Sequence, residues 1–356
     1  MKWRPRLDRH RLVVAAAAAA AALGVATALT LPVPYVIISP GPVFNTLGEY
    51  RGNQVVEITG TATYPTNGEL DMTTVRERGG PYGPLTAVEA VVAYVRDQSA
   101  VLPRELIFPE DESSQQSKDR SAADFDTAQS NAVAAAMGEL GITVSESPLV
   151  VSVIADGPSD GILEPEDVIL TVAGQSVSTS QAAVDAIRAQ PVGTAIPLTV
   201  QRDDVVVDVE VVSEPNPTDP AVSYLGVSLQ PAYEAPFDIT FALDGVGGPS
   251  AGLIFSLAII DQLTPDDLTA GQQIAGTGTI SPTGEVGAIG GIKQKMIAAK
   301  DSGAVLFLAP QANCDQVAGN EPDGLTVAAV ATLDDAMTAL ADFHAGRPVT
   351  QCSSGI

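Results

Sequence analysis

The chain has 356 residues, is 45% hydrophobic and carries a formal net charge of −25. That length accommodates two domains of ordinary size, and with aromatics at only 4% the core must be filled by Val, Ile, Leu and Ala. Residues 1–12 hold Lys2, Arg4, Arg6, Arg9 and Arg11 against Asp8, a net of +4, so the remainder carries −29; such a surface repels nucleic acid and anionic lipid, and nucleic acid is excluded as a partner.

Behind the basic stub, Leu12 to Leu31 is twenty residues without a charge, mostly alanine. Three readings compete. The run is long enough for a transmembrane anchor, since about 20 apolar residues span a bilayer. It also fits a cleaved signal peptide with Ala26-Thr27-Ala28 at the cleavage site, or a buried soluble helix. The basic flank favours the anchor and keeps residues 1–11 cytoplasmic. Either of the first two readings puts everything beyond residue 35 outside the cytoplasmic membrane. Only two cysteines exist, Cys314 and Cys352. In an oxidising compartment a single pair commonly bonds, so a disulfide is expected, the alternative being two buried thiols.

Next, "YVIISPGPVFNTLG" reads as an extended entry into a folded unit, and "NQVVEITGTATYPTNGELDMTTVRE" as short strands between Gly and Asn turns. "TAVEAVVAYVRDQ" has helical spacing. Residues 110–120, "EDESSQQSKDR", read as a solvent-exposed connection, and "AADFDTAQSNAVAAAMGELG" as a helix closed by glycine.

From Pro148 to about Ser213 the pattern is strand, turn, strand, helix and two strands. The stretches "V.ADGPSDGIL", "DVILTVAGQSV", "SQAAVDAIRAQ" and "IPLTVQRDD" resemble a PDZ domain of the bacterial type. Glu166 stands where such domains usually have glycine before the aspartate. The resemblance implies binding of peptide C-termini by strand addition, the carboxylate held by backbone N–H groups of a Gly-containing loop. Two loops compete for that role: "GELGI", with Leu140, Gly141 and Ile142, is preferred, and "YLGV" at 224–227 is the rival.

"DGVGGPSAGLIFSLAIIDQL", 244–263, places Ser250 at the front of an apolar helix. Serine is a favoured N-cap and proline suits a first turn, so a plain helix start is one reading. A nucleophile is the other. A Ser/His/Asp triad needs an imidazole, but His10 precedes the apolar run and His344 lies near the C-terminus. A trypsin-like centre is therefore disfavoured. Neither a clustered Cys/His metal set nor a phosphate-binding loop is present, and no metal or cofactor is expected.

"GEVGAIGGIKQKMIAAKDSG" supplies another base. Glycines open a helix at Ile292 and Gly303 ends it. At 100° per residue from Ile292, Met296, Ala299 and Lys295 fall at about +40°, −20° and −60° on one apolar side. Lys293 and Lys300 fall at its far edge. Burial is what a lysine base requires, since desolvation disfavours the ammonium form, and a neutral amine can accept a serine proton.

"GGPSAG", followed 45 residues after its serine by the second lysine of "GGIKQK", resembles the proteolytic domain of the Lon protease family. The resemblance implies a Ser250/Lys295 dyad, with Thr277 in "AGTGTISPTGEVGAIGG" assisting in placing the amine. The whole is similar to membrane-anchored, PDZ-containing Lon-like proteases of Gram-positive bacteria, and the Lys-poor, Ala/Val/Asp-rich composition suits an actinobacterium. No ATPase module is present, and Asp244 is the nearest acid to the serine loop.

The expected fold is α+β: a Lon-type domain of mixed sheets and helices, with an inserted PDZ domain, after one N-terminal transmembrane helix. The expected order is a stub (1–11), an anchor or signal peptide (12–34), a first protease part (35–137), the PDZ domain (138–213), the catalytic part (214–345) and a tail (346–356). The implied function is ATP-independent serine endopeptidase action on extracytoplasmic or membrane-associated proteins, in a homo-oligomer. Gly247 and Gly248, with the Ser250 N–H, are candidates for holding the oxyanion. A membrane-tethered PDZ scaffold with an inactive protease-like domain is the alternative.

Overall fold

The computed structural model describes residues 9–109, 112–203 and 205–353. The side chains of the basic stub lie outside them. Helix α1, Arg9–Thr30, covers the alanine-rich run in its backbone, with side chains described continuously from 12 to 24. Among the described residues no helix is long and apolar enough to cross a membrane.

Beyond α1 the structure is α+β. Strands β1 (Pro32–Val33) and β2 (Tyr35–Asn45) lead in, then β3 (Val56–Thr59), β4 (Glu69–Gly79) and β5 (Leu85–Thr86). Helix α2, Ala87–Tyr94, starts at a capping box in which Thr86 and Glu89 satisfy each other's backbone N–H groups. It is shorter than the helix expected over 86–98. Strand β6 (Ala100–Pro103) follows.

Helix α3, Ser114–Glu139, takes in most of the segment expected as an exposed connection. Ser113 and Gln116 form a second capping box, which starts the helix among polar residues with no apolar stripe to announce it. The helix ends at Leu140 and Gly141.

The inserted module has its own sheet and core. Strands β7 (Ser145–Val153) and β8 (Val168–Val172), helix α4 (Ser180–Arg188), and strands β9 (Ala195–Arg202) and β10 (Val205–Val212) occur in the predicted order. Strand β11, Val227–Glu234, joins the same sheet from beyond residue 213. It pairs antiparallel with β7 over its whole length, which makes the order β10-β9-β8-β7-β11. Val150, Ile169, Ile187, Leu198 and Leu225 pack inside. Glu166 adopts φ +74, the left-handed backbone that glycine supplies more readily. The neighbouring Asp167 is buried and accepts from Arg202 Nε and Nη2, each at 2.7 Å.

After β12 (Asp238–Phe241), which pairs with β3, come α5 (Gly252–Leu263), β13 (Gln273–Gly276), α6 (Ile292–Ser302), β14 (Leu306–Pro310), α7 (Cys314–Val317), β15 (Thr326–Val330) and α8 (Leu333–His344). One sheet ties both ends of the sequence together in the order β15-β14-β13-β4-β2-β6. β13, β14 and β15 run parallel and β13 is parallel to β4, whereas β2 is antiparallel to β4 and β6. Segments before and after the inserted module therefore share a sheet and a core, in which Phe255 of α5 packs with Phe125 of α3 and Phe241 of β12.

Candidate active site

Every residue of α5 from Gly252 to Asp261 is buried. A helix that is apolar all round must sit inside the core, so its front end is fixed. Ser250 is carried there on a 3₁₀ turn, Pro249–Ala251, after Gly248 at φ +85. Its side chain makes no capping hydrogen bond. Its carbonyl accepts the Gly278 N–H at 2.9 Å and the Thr277 hydroxyl at 3.0 Å, which holds the serine backbone from a neighbouring loop.

Helix α6 brings the lysine. Gly291 caps it at φ +70, and a β-carbon there would come within 2.8 Å of Val75 Cγ1. Lys295, Met296 and Ala299 are buried as expected and Lys293 and Lys300 are not, but the buried face is wider than the predicted one and also takes in Gln294 and Ala298. Lys300 reaches the Gly324 carbonyl at 3.0 Å instead. Lys295 is 3% exposed, and burial pushes its amine down to about 7.

Ser250, Lys295 and Thr277 meet. Lys295 Nζ lies 2.6 Å from Ser250 Oγ and donates to Thr277 Oγ1 at 2.9 Å. Because the threonine's own proton goes to the Ser250 carbonyl, its oxygen is left to accept from the amine. A neutral amine so placed directs its lone pair at the serine hydroxyl.

The glycines before the serine divide in behaviour. Gly248 N–H donates to the Ser121 carbonyl of α3 at 2.7 Å, so it is not open to a substrate oxygen in this conformation, contrary to expectation. Gly247 N–H has no hydrogen-bond acceptor among the described residues. Gly247 lies against the Ser121 side chain, where a β-carbon would collide. Asp244 is exposed to solvent, 3.7 Å from Arg51.

The same helix that holds Gly248 also touches the inserted module. Ser130 Oγ accepts the Tyr233 N–H of β11 at 2.8 Å, and Thr127 Oγ1 donates to Gln230 Oε1 at 2.6 Å. A cleft of about 300 Å³ between α3 and the inserted sheet is lined by Asp126, Thr127, Glu166 and Gln230. Ser121, Thr127 and Ser130 carried no motif, and only the three-dimensional packing reveals them.

The preferred carboxylate loop is not free. Leu140, Gly141 and Ile142 N–H groups donate to Ala136, Gly138 and Met137 carbonyls, completing the C-terminus of α3. At the rival loop, Gly226 has φ +71 and its carbonyl accepts the Ile154 N–H. The N–H groups of Leu225 and Gly226 have no acceptor among the described residues. Cys314 and Cys352 are joined in a disulfide, Cα–Cα 5.0 Å, which ties the C-terminal segment to α7. That segment also accepts the Ala329 N–H on Thr350 O at 2.8 Å.

Residues 245–341 match the family model of the Lon protease (S16) C-terminal proteolytic domain, and residues 135–212 match that of the PDZ domain. The chain thus carries a Lon-type proteolytic domain and a PDZ domain, arranged as one α+β structure. Over 93 residues it is 34% identical to the Lon protease of Lachnoclostridium phytofermentans and 37% identical to that of Haemophilus influenzae; in each case 25% of this chain and 11% of the relative is covered. The chain thus matches only a small part of the length of these relatives. Among solved structures, the PDZ domain of an SdrC-like protein from Listeria monocytogenes is 22% identical, covering 23% of this chain and 85% of that one with a TM-score of 0.22.

Proposed function

We propose that the chain is an ATP-independent serine endopeptidase in which Ser250 attacks and Lys295 is the base. The observation that carries this reading is the 2.6 Å approach of a desolvated amine to a serine hydroxyl with no capping role. The Ser250 proton passes to Nζ while Oγ bonds the substrate carbonyl carbon, whose π pair moves onto oxygen. Collapse of that tetrahedral species breaks the C–N bond, and the departing amine takes the proton from the lysine. Water repeats the sequence against the acyl-enzyme. Gly247 N–H and Ser250 N–H are the donors proposed for the oxyanion, and Thr277 holds the amine in place.

The inserted module recognises substrate C-termini at Leu225 and Gly226 or governs access to the serine through α3. We place both domains outside the cytoplasmic membrane, held by the N-terminal apolar run. The basic flank, that run and the disulfide support this placement. Assembly as a homo-oligomer is proposed from the Lon resemblance.

The test is an active-site acylating probe together with a peptidase assay. Labelling confined to Ser250, and loss of both labelling and cleavage in Ser250→Ala and Lys295→Ala with folding retained, is the expected result. Full cleavage by either variant would end the assignment, and no labelling in any assembly state would leave the PDZ scaffold reading.

A further inference from the structure

Helix α2 is built the wrong way round for a soluble domain. Val88, Val91, Val92 and Val95 fall within about 100° of one another on a helical projection. That stripe faces out: Val91 is 63% exposed and Val95 74%. Ala93, on the opposite side, is the buried one. Tyr94 beside the stripe is 81% exposed. Leu31, where the apolar run ends, and Leu106, just after β6, are exposed as well. A contiguous exposed apolar surface marks an interaction site.

What covers it follows from where it lies. α2 packs against α1, and β1, two residues after α1 ends, is hydrogen-bonded to β5 immediately before α2. The patch is therefore held within a few residues of the point where the apolar run Leu12–Leu31 stops. Its one acid, Glu89, is paired with Arg78. An uncharged apolar stripe with an exposed tyrosine at its edge suits the water–lipid boundary, where aromatic rings concentrate.

We propose that α2 docks into the lipid surface beside the exit of α1 and sets the Lon-type domain flat against the bilayer. This rests on the reading of the N-terminal run as a membrane anchor. The rest of the domain is strongly acidic, so docking depends on apolar burial and proceeds on zwitterionic lipid.

The test uses the full chain with Trp3→Phe and Tyr94→Trp, which leaves a single tryptophan, on α2. It is reconstituted into phosphatidylcholine vesicles with or without brominated acyl chains. The expected result is co-flotation with vesicles and loss of about half or more of the tryptophan emission in brominated lipid, and Val91→Glu with Val95→Glu should abolish that quenching while co-flotation persists. Co-flotation with solvent-like, unquenched emission overturns the docking proposal and leaves the anchor intact. Concentration-dependent blue-shifted emission insensitive to bromine overturns it in favour of a second copy of the chain. Failure to co-float overturns the anchor and the docking together and leaves the peptidase reading untouched.

Discussion

Thr277 Oγ1 accepts a hydrogen bond from Lys295 Nζ at 2.9 Å while giving its own proton to the carbonyl of Ser250. This single hydroxyl fixes both the direction of the amine and the position of the serine backbone. Thr277→Val keeps the shape and removes both bonds. It is expected to lower kcat/KM for a peptide substrate by about 10²–10³-fold, comparable to removing one preorganised donor at a reacting centre. Thr277→Ser should recover most of the loss. Because the lost oxygen also favoured the ammonium form, the acid limb of the pH profile should move to lower pH in the valine variant. Equal activity of Val and Thr would show that the hydroxyl positions nothing.

Activity should follow the deprotonated amine. With Lys295 pushed to about 7 by desolvation, kcat/KM should rise through an acid limb centred near pH 7. Stability carries the same signature with a definite sign. The folded amine loses its proton at about 7 and the unfolded one at 10.5, so between those values the unfolded chain binds more protons and stability rises with pH. The penalty is present in full below pH 7. Lys295→Met should therefore stabilise the fold by a few kcal/mol at pH 6, on the order of what a shift of this size implies, with the gain shrinking toward pH 10. Urea unfolding at pH 6 and pH 9 checks this; a gain independent of pH would contradict it.

At the inserted module the two glycine loops should respond differently. A β-carbon at Gly226 would sit 2.9 Å from Pro158 Cδ on a backbone at φ +71. Gly226→Ala should displace the open N–H groups and weaken an apolar peptide with a free C-terminus by about 10–100-fold, the worth of charge-assisted bonds to a carboxylate. Gly141 has open space around it but φ +69. Gly141→Ala should cost about 1–2 kcal/mol of stability and leave peptide affinity unchanged. Fluorescence anisotropy with the free-acid peptide and its amide separates the two, and reversed effects would restore the Gly141 loop.

The disulfide closes a sequence separation of 38 residues. Its loss should lower stability by about 3–4 kcal/mol, measured by thermal unfolding of a variant with Cys314→Ser and Cys352→Ser. Acylation of Ser250 should be unaffected at temperatures where that variant remains folded, because Cys352 packs against the cluster of Ile292, Met296 and Ala299 and forms none of the hydrogen bonds that join Ser250, Lys295 and Thr277.

The site was legible wherever chemistry depends on short-range pattern. The periodicity of 292–303 singled out Lys295 among three lysines because burial on a helix is periodic. Ser250 and Thr277 entered through their motifs. What stayed hidden was non-local. The start of α3 has only the spaced pair Ser113 and Gln116 to signal it, and the polar letters around them suggested a loop. Gly141 looked like a carboxylate loop because its letters are the same as those of a helix stop, and only the hydrogen bonds of Gly141 to Gly138 and of Ile142 to Met137 distinguish them. Strand β11 pairs with β7 across the whole length of the inserted module, a relation no window of sequence displays. The carbonyl of Ser121 on Gly248 belongs to the same class.

The proposed dyad requires one amine to be neutral near physiological pH beside one hydroxyl. The chain has five lysines, few enough for ¹³Cε and ¹⁵Nζ resonances to be assigned by substitution and followed against pH. Lys295 is expected to titrate at about 7. Titration of Lys295 near 10.5, the ordinary value for an exposed lysine, would contradict it.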